Sequence, residues 1–389
     1  MKTIGLLILF VTLTFQSYAL DGLLIQTIDY SLHDKWTKTI SSSVPTISTC
    51  TKVFKKQYFF LTAIVGGYSI NNLGIANVDY TIKITKPDKT IYTSQEQLPI
   101  LNRKVVDNKN LQMSDAVLKI CFEEPDAFGK YQIDVEINDR ISGQSKSIHS
   151  IIELVDMPKY KKFKVKDDVE FSDWVSNYYL KQKPESALMN YIYYSQSKLS
   201  DNESSFWPVF SEFIVIYKNN TFLLPQLFQF FKNQDDKTRI YLIYLLHYSE
   251  LGTPDFFNGL SEMDAKTYSQ IKDLKISDIY GKITDTQQLD MLWATFMAGG
   301  SYQPIQKLIQ TLEYSKYNGF LDKYKDSGKT EEDRQNAINN AIYNSLIWSL
   351  KSNCKQHPLV KAYCEWAMEN ENLSTIQRDE LKLILSDIK

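Results

Sequence analysis

Cys354, His357, Cys364 and Glu365 form the densest group of reactive side chains in the sequence. Two thiolates, an imidazole nitrogen and a carboxylate are donors of the kind that bind zinc, and Cys354 beside His357 is also the pairing of a thiol nucleophile with a base. The spacing matches no standard zinc pattern, and thiols of exported chains tend towards oxidation. The group is therefore read as structural, with His357-Pro358 ending one helix and opening the next. His247 and Glu250 lie three residues apart on one helical face, the arrangement of an acid–base pair. A segment as apolar as Ile240 to His247 more simply holds a core histidine. His247, Glu250 and His357 are carried forward as a candidate polar site. Asp173-Trp174 and Asp290-x-x-Trp293 contain the ingredients of an aromatic-lined groove, which helix capping and packing also explain. No residue is assigned as catalytic, and neither metal nor cofactor is expected.

The motif-borne chemistries are missing. The chain has no HExxH, no Walker glycine loop, no G-x-S-x-G elbow and no EF-hand run, which removes the zincin, P-loop, α/β-hydrolase and calcium-sensor classes. Carboxylate-only catalysis leaves no local signature, so a glycan hydrolase stays open. Lys plus Arg is 44 and Asp plus Glu is 46, a net charge of -2, which gives no reason to expect nucleic-acid binding. The chain holds 25 Tyr and 20 Phe against 14 Gly, so it is rich in packing material and poor in phosphate cradles. Asn202-Glu203-Ser204, Asn219-Asn220-Thr221 and Asn372-Leu373-Ser374 are glycosylation sequons that matter only in a eukaryotic host.

The elements that must position these side chains follow a signal-peptide pattern over 1–19. Lys2 precedes an apolar run from Ile4 to Leu13, and Ser17-Tyr18-Ala19 predicts cleavage after Ala19. The run of about ten residues is too short to span a bilayer, and no later stretch is long and apolar enough to do so. The expected address is periplasmic or secreted. Export permits disulfides, so Cys50 with Cys121 and Cys354 with Cys364 are candidate pairs; four buried free thiols are the alternative.

Over 20–157 the period is two. Tyr58 to Val65, Val78 to Thr85, Thr90 to Thr93, Ala116 to Phe122, Tyr131 to Asn138 and Ser147 to Val155 read as strands. Between two of them, Lys86-Pro87-Asp88-Lys89 is a turn in which Pro87 pre-sets φ and Asp88 takes the tight position. This predicts an antiparallel β-sandwich of immunoglobulin or fibronectin type. A polar linker covers 158–169. Over 170–389 the period becomes 3.6, with about ten helices in an all-α, helical-repeat-like domain lacking a fixed repeat. Pro184, Thr253-Pro254-Asp255 and Ser261 to Asp264 read as helix starts, and Gly299-Gly300 as a stop. Core packing is the first explanation for the aromatic excess.

Lys86-Pro87-Asp88-Lys89-Thr90-Ile91-Tyr92, Glu124 to Tyr131 and Asn138 to Gly143 resemble the sandwich half of a group of exported, uncharacterised Gram-negative proteins. Met291 to Phe296 and Trp348 to Asn353 with His357-Pro358 resemble the helical half of the same or a related group. The resemblance implies a bacterial-envelope setting and assigns no residue a role. The expected function is a non-catalytic protein-binding or scaffold protein of the envelope, its partner an envelope or extracellular protein met by sheet edges, loops or a helical groove. The alternatives are an envelope glycan-active enzyme with an accessory sandwich and a non-catalytic glycan binder.

Overall fold

The computed structural model describes residues 19–40, 45–106, 108, 110–324 and 330–388. The signal-peptide reading therefore lies, apart from Ala19, outside the described residues. The N-terminal region forms β-sheets and the C-terminal region is helical.

The strands are β1 (Asp21–Thr27), β2 (Lys52–Val53), β3 (Tyr58–Gly66), β4 (Ile75–Thr85), β5 (Ile91–Lys104), β6 (Gln112–Met113), β7 (Leu118–Cys121), β8 (Gly129–Asp139) and β9 (Ser145–Leu154). One sheet runs β1-β3-β6 with β7 also on β3, and the other runs β2-β9-β8-β4-β5. The alternation that marked Val78 to Thr85 and Tyr131 to Asn138 is a true two-faced pattern. Val78, Tyr80, Ile82 and Ile84 of β4 are buried, as are Tyr131, Ile133, Val135 and Ile137 of β8, and β4 pairs with β8 from Val78↔Asp139 to Thr85↔Gln132. One pair departs from the antiparallel expectation: β2 lies parallel to β9, with Lys52 opposite Glu153. The long stretch of chain between them leaves either direction open, because a parallel pair requires only a long crossover. In the β4–β5 turn the left-handed residue is Lys89 (φ 72), not Asp88, whose carboxylate accepts the Thr90 N–H at 2.9 Å.

The helices are α1 (Leu32–Thr37), α2 (Asp168–Asn177), α3 (Ala187–Gln196), α4 (Glu203–Asn219), α5 (Leu224–Phe231), α6 (Asp236–Tyr248) and α7 (Pro254–Asn258). They continue with α8 (Glu262–Ile271), α9 (Gln287–Gly299), α10 (Tyr302–Thr311), α11 (Phe320–Tyr324), α12 (Glu331–Gln356), α13 (Pro358–Asn370) and α14 (Thr375–Ser386). Several of their starts carry side-chain caps that offset the unpaired N–H groups of the first turn. Asp167 accepts from Glu170 N, Thr253 from Phe256 N and Ser261 from Asp264 N, and Thr330/Asp333 and Ser374/Gln377 form reciprocal capping boxes. Helix α9 stops at Gly300, whose φ of 73° is left-handed. No helix among the described residues is long and apolar enough to cross a membrane.

The contacts divide the chain into two units. Among the described residues, one holds 19–25, 62–106, 108, 110–117 and 132–150; the other holds 26–40, 45–61, 118–131, 151–324 and 330–388. The first is built around the buried faces of β4 and β8 with Ala63, Val65, Ile100 and Leu101. The second holds all the helices. Its core has two clusters, one around Phe171, Tyr191, Phe210, Phe213, Leu242 and Leu246, the other around Phe296, Ile305, Leu346, Leu350, Val360 and Tyr363. Several core tyrosines satisfy their hydroxyls on main-chain carbonyls: Tyr194 donates to Phe206 at 3.0 Å, Tyr241 to Ser200 at 2.9 Å and Tyr363 to Gly300 at 2.7 Å. In the same unit the N-terminal segment is pinned by a fully buried ion pair, Lys35 with Asp29. Lys35 also donates to the Tyr179 carbonyl at 2.9 Å, and Asp29 accepts from Ser31 N at 2.9 Å and Gln182 Nε2 at 3.3 Å.

Candidate functional site

The residues singled out in sequence have separate partners. His247 donates from Nε2 to the Leu274 carbonyl at 3.1 Å. Glu250 lies past the end of α6 at φ 60°, with its exposed carboxylate 3.6 Å from Lys218 Nζ. The two are thus engaged apart. His357 ends α12 and precedes Pro358 at the start of α13. Its ring is buried and pairs through Nδ1 with the Tyr179 hydroxyl at 3.1 Å, and burial lowers its pKa from the usual histidine value. Cys354 and Cys364 are buried beside one another with sulfurs 3.8 Å apart. The hydrogen bond to Cys354 and burial push the Cys364 thiol well above its ordinary pKa, the opposite of what a metal ligand or nucleophile needs. Glu365 pairs instead with Lys361 at 3.7 Å. Cys50 and Cys121 are half-buried and form no disulfide with each other, and burial pushes Cys50 up to about 12. No group of three metal-ligating side chains occurs among the described residues. Trp174 is a packing residue: its indole donates to Ser186 Oγ at 3.0 Å and stacks on Phe213 at 5.6 Å.

Asp290 and Trp293 behave differently. Both line a cavity of about 350 Å³ between α4 and α9, walled by Val175, Pro208, Val209, Ala294 and Met297, and Glu212 lines it too. Glu212 is wholly buried, and neither carboxyl oxygen has a hydrogen-bond partner among the described residues; the same holds for Trp293 Nε1. With no cation beside it, burial raises the Glu212 pKa well above the carboxylate range, so the group is a neutral acid. Asp290 reaches solvent at the mouth but is ringed by protein. That desolvation, followed by the influence of Asp285, pushes it up to about 6. Glu212 went unremarked in the sequence reading, although a lone acid within the apolar run Phe206 to Tyr217 was a visible signal.

Asp290 also belongs to a second groove, of about 450 Å³, lined by Thr286, Leu289, Asn344, Ser345, Trp348 and Ser349. It runs between the first turns of α9 and the middle of α12. A third, apolar groove of about 700 Å³ lies among α5, α6, α7 and α8. Its floor is Phe228, Phe231, Phe256 and Leu260, with the Phe256 ring 5.3 Å from Phe228 and 5.0 Å from Phe231. Phe228, Phe256 and Leu260 are half-buried. The polar side of the groove is rigid, because Arg239 grips Asp264 through Nε at 3.1 Å and donates to the Gln234 carbonyl at 2.7 Å, while Ser261 donates to Asp264 at 2.7 Å. Lys232 and Asp255 complete the rim.

The fold thus defines a class no finer than β-sheets followed by helices. No protein-family profile matches the chain, and no curated protein matches it. Among solved structures, a family 123 glycoside hydrolase from Clostridium perfringens, described for glycolipid glycan hydrolysis, shares 8% identity over 48% of this chain and 36% of its own, at a TM-score of 0.24. A structure described as pT26-6p shares 9% identity over 75% of this chain and 46% of its own, at a TM-score of 0.17. This chain therefore spans less than half the length of either. Neither score marks a common fold, and no activity is carried over from them.

Proposed function

We propose that the chain is a non-catalytic binding protein of a bacterial envelope, periplasmic or secreted, that holds a protein partner in the apolar groove among α5, α6, α7 and α8. The observation that carries this reading is the half-open phenyl floor of that groove. Phe228 and Phe256 stay half-buried in the groove, inside a rim fixed by the Arg239–Asp264 pair, while Phe231 beside them is buried. Desolvated aromatics within a polar rim are what interface hot spots require.

Two further observations support it. Strand β5 is an outer strand of its sheet, but Pro99, Gln97 at φ 54° and three register shifts against β4 interrupt it, which disfavours strand addition and leaves the helical unit as the docking element. Of the two acids in the α4–α9 cavity only Asp290 reaches solvent, whereas carboxylate-pair catalysis needs both acids on the substrate. In this reading the two sheets form an immunoglobulin-like sandwich and the helices a helical-repeat-like unit, in line with the one-sided burial of β4 and β8.

The test is differential capture from envelope extract by the mature chain and by Phe256→Glu, with Val169→Ala as a surface control and circular dichroism to verify folding. Placing a carboxylate on the apolar floor should lower recovery of the main partner about tenfold or more. Equal recovery by wild type and Phe256→Glu would refute the groove.

A further inference from the structure

The groove between α9 and α12 has a composition unlike the apolar groove, and the inference drawn from it is independent of that reading. The chain has six tryptophans, and Trp348 is the one that stands out in water, at 72% exposure on a helix whose other apolar residues are mostly buried. An indole held in the open on a rigid helix is a large flat apolar face with little rotamer entropy to lose. On the same stripe of α12, one turn earlier, are Asn344 and Ser345. Across the groove, Thr286 and Asp290 share a face at the start of α9, and buried Leu289 forms the floor. No hydrogen bond holds the side chains of Thr286, Asn344, Ser345 or Asp290 among the described residues. Ser349 alone of the polar lining is satisfied internally, donating to the Leu346 carbonyl at 3.1 Å.

The chemistry of this lining selects its ligand. It contains no basic side chain, so it does not suit an anion. It offers two hydroxyls, a carboxamide and a carboxyl around one exposed ring, groups that together donate and accept over a short span. A ligand that fits has a flat apolar face edged with hydroxyls. The volume of about 450 Å³ falls within the range of small-molecule sites. We propose that the α9–α12 groove is a saccharide-binding site in which an uncharged pyranose stacks on Trp348 while its hydroxyls are read by Asn344, Ser345, Thr286 and Asp290. An arginine side chain of a peptide would also stack on an indole and pair with a carboxylate, but it would leave the two hydroxyls and the carboxamide with little to bind.

The experiment is a titration of the mature protein, followed by indole fluorescence and by amide chemical shifts. The probes are cellobiose, maltotriose and N,N′-diacetylchitobiose, with the peptide acetyl-Gly-Arg-Gly-amide as the competing class. At least one saccharide should saturate the signal, shift the amides of Asn344 to Ser349, and lose about tenfold or more in affinity in both Trp348→Ala and Asn344→Ala. Both side chains are exposed, so neither variant endangers the fold. Phe256→Glu should bind the same saccharide unchanged, which separates this site from the protein-docking groove. Failure of all three saccharides to bind, binding that survives Trp348→Ala, or saturation by the peptide alone would overturn the assignment.

Discussion

Glu212 is a carboxylic acid that the fold has made neutral, and its neighbours define what single side chains do in this molecule. Its two oxygens lack partners among the described residues, so a same-sized apolar group should be better tolerated than the acid itself. Glu212→Met is expected to raise stability by about 1–3 kcal/mol in urea unfolding at pH 7. Asp290 gives a pH-dependent counterpart. Its folded pKa of about 6 lies above the unfolded value, so the folded state holds a proton that the unfolded state gives up between pH 4 and 6. Stability therefore falls as the pH rises through that window. Asp290→Asn should raise the Tm at pH 7.5 and leave it nearly unchanged at pH 4, as calorimetry would read. His357 works in the opposite sense. Burial lowers its pKa, so its contribution is complete above the unfolded value of about 6.5 and is lost as the pH falls below it. His357→Gln should flatten that acid limb. Of these three, His357 and Asp290 were legible as residue types in suggestive company. Their environments were not, because desolvation depends on which helices close over a side chain, and local spacing does not encode that.

Among the elements, α1 explains why the N-terminal region reads less cleanly than its strands. Its six residues are too few for a 3.6 period to stand out inside a stretch of period two, so Leu32–Thr37 was missed. The helix nevertheless presents Lys35, wholly buried against Asp29 and the Tyr179 carbonyl. Removing the cation strands a buried carboxylate. Lys35→Met should cost about 3–5 kcal/mol in chemical unfolding, and the pair Asp29→Leu with Lys35→Met should recover much of that loss. Gly300 meets the same ion pair from the other side. A Cβ there would lie 2.7 Å from Lys35 Cε, and the residue holds a φ of 73°. Gly300→Ala is expected to destabilise by at least the ~1–2 kcal/mol of a left-handed L-residue, measured in the same assay. That stop was visible as Gly299-Gly300, and the starts at Thr253 and Ser261 were visible for the same reason; Pro184 opens a short 3₁₀ turn, and α3 itself begins at Ala187. Caps are local chemistry. Strand β5 was seen only at its first three residues, Ile91 to Thr93, because Gln95 to Gln97 and Pro99 break the alternation that betrays a strand.

At the scale of the whole molecule, the order of sheets then helices follows directly from the change of hydrophobic period near Pro158. The contact units do not follow chain order, since the described residues of 26–61 and 118–131 belong with the helices. Such membership rests on long-range partners, as with Lys35 and Tyr179, and no pattern within either segment announces it. Likewise the described aromatics of the helical region divide about evenly into buried rings and half-buried or exposed ones. Phe228 and Phe256 sit at ordinary helical spacing, and only the placement of α7 and α8 leaves their rings half-open. In the proposed function this opening holds a protein partner, and the chain does no chemistry on it. Hydrogen exchange of the mature chain, with and without the purified captured partner, is the decisive measurement. Added protection should concentrate in 224–232 and 254–271, with the partner recovered at unchanged mass. Protection confined to other segments, or a partner returned cleaved or modified, would contradict it.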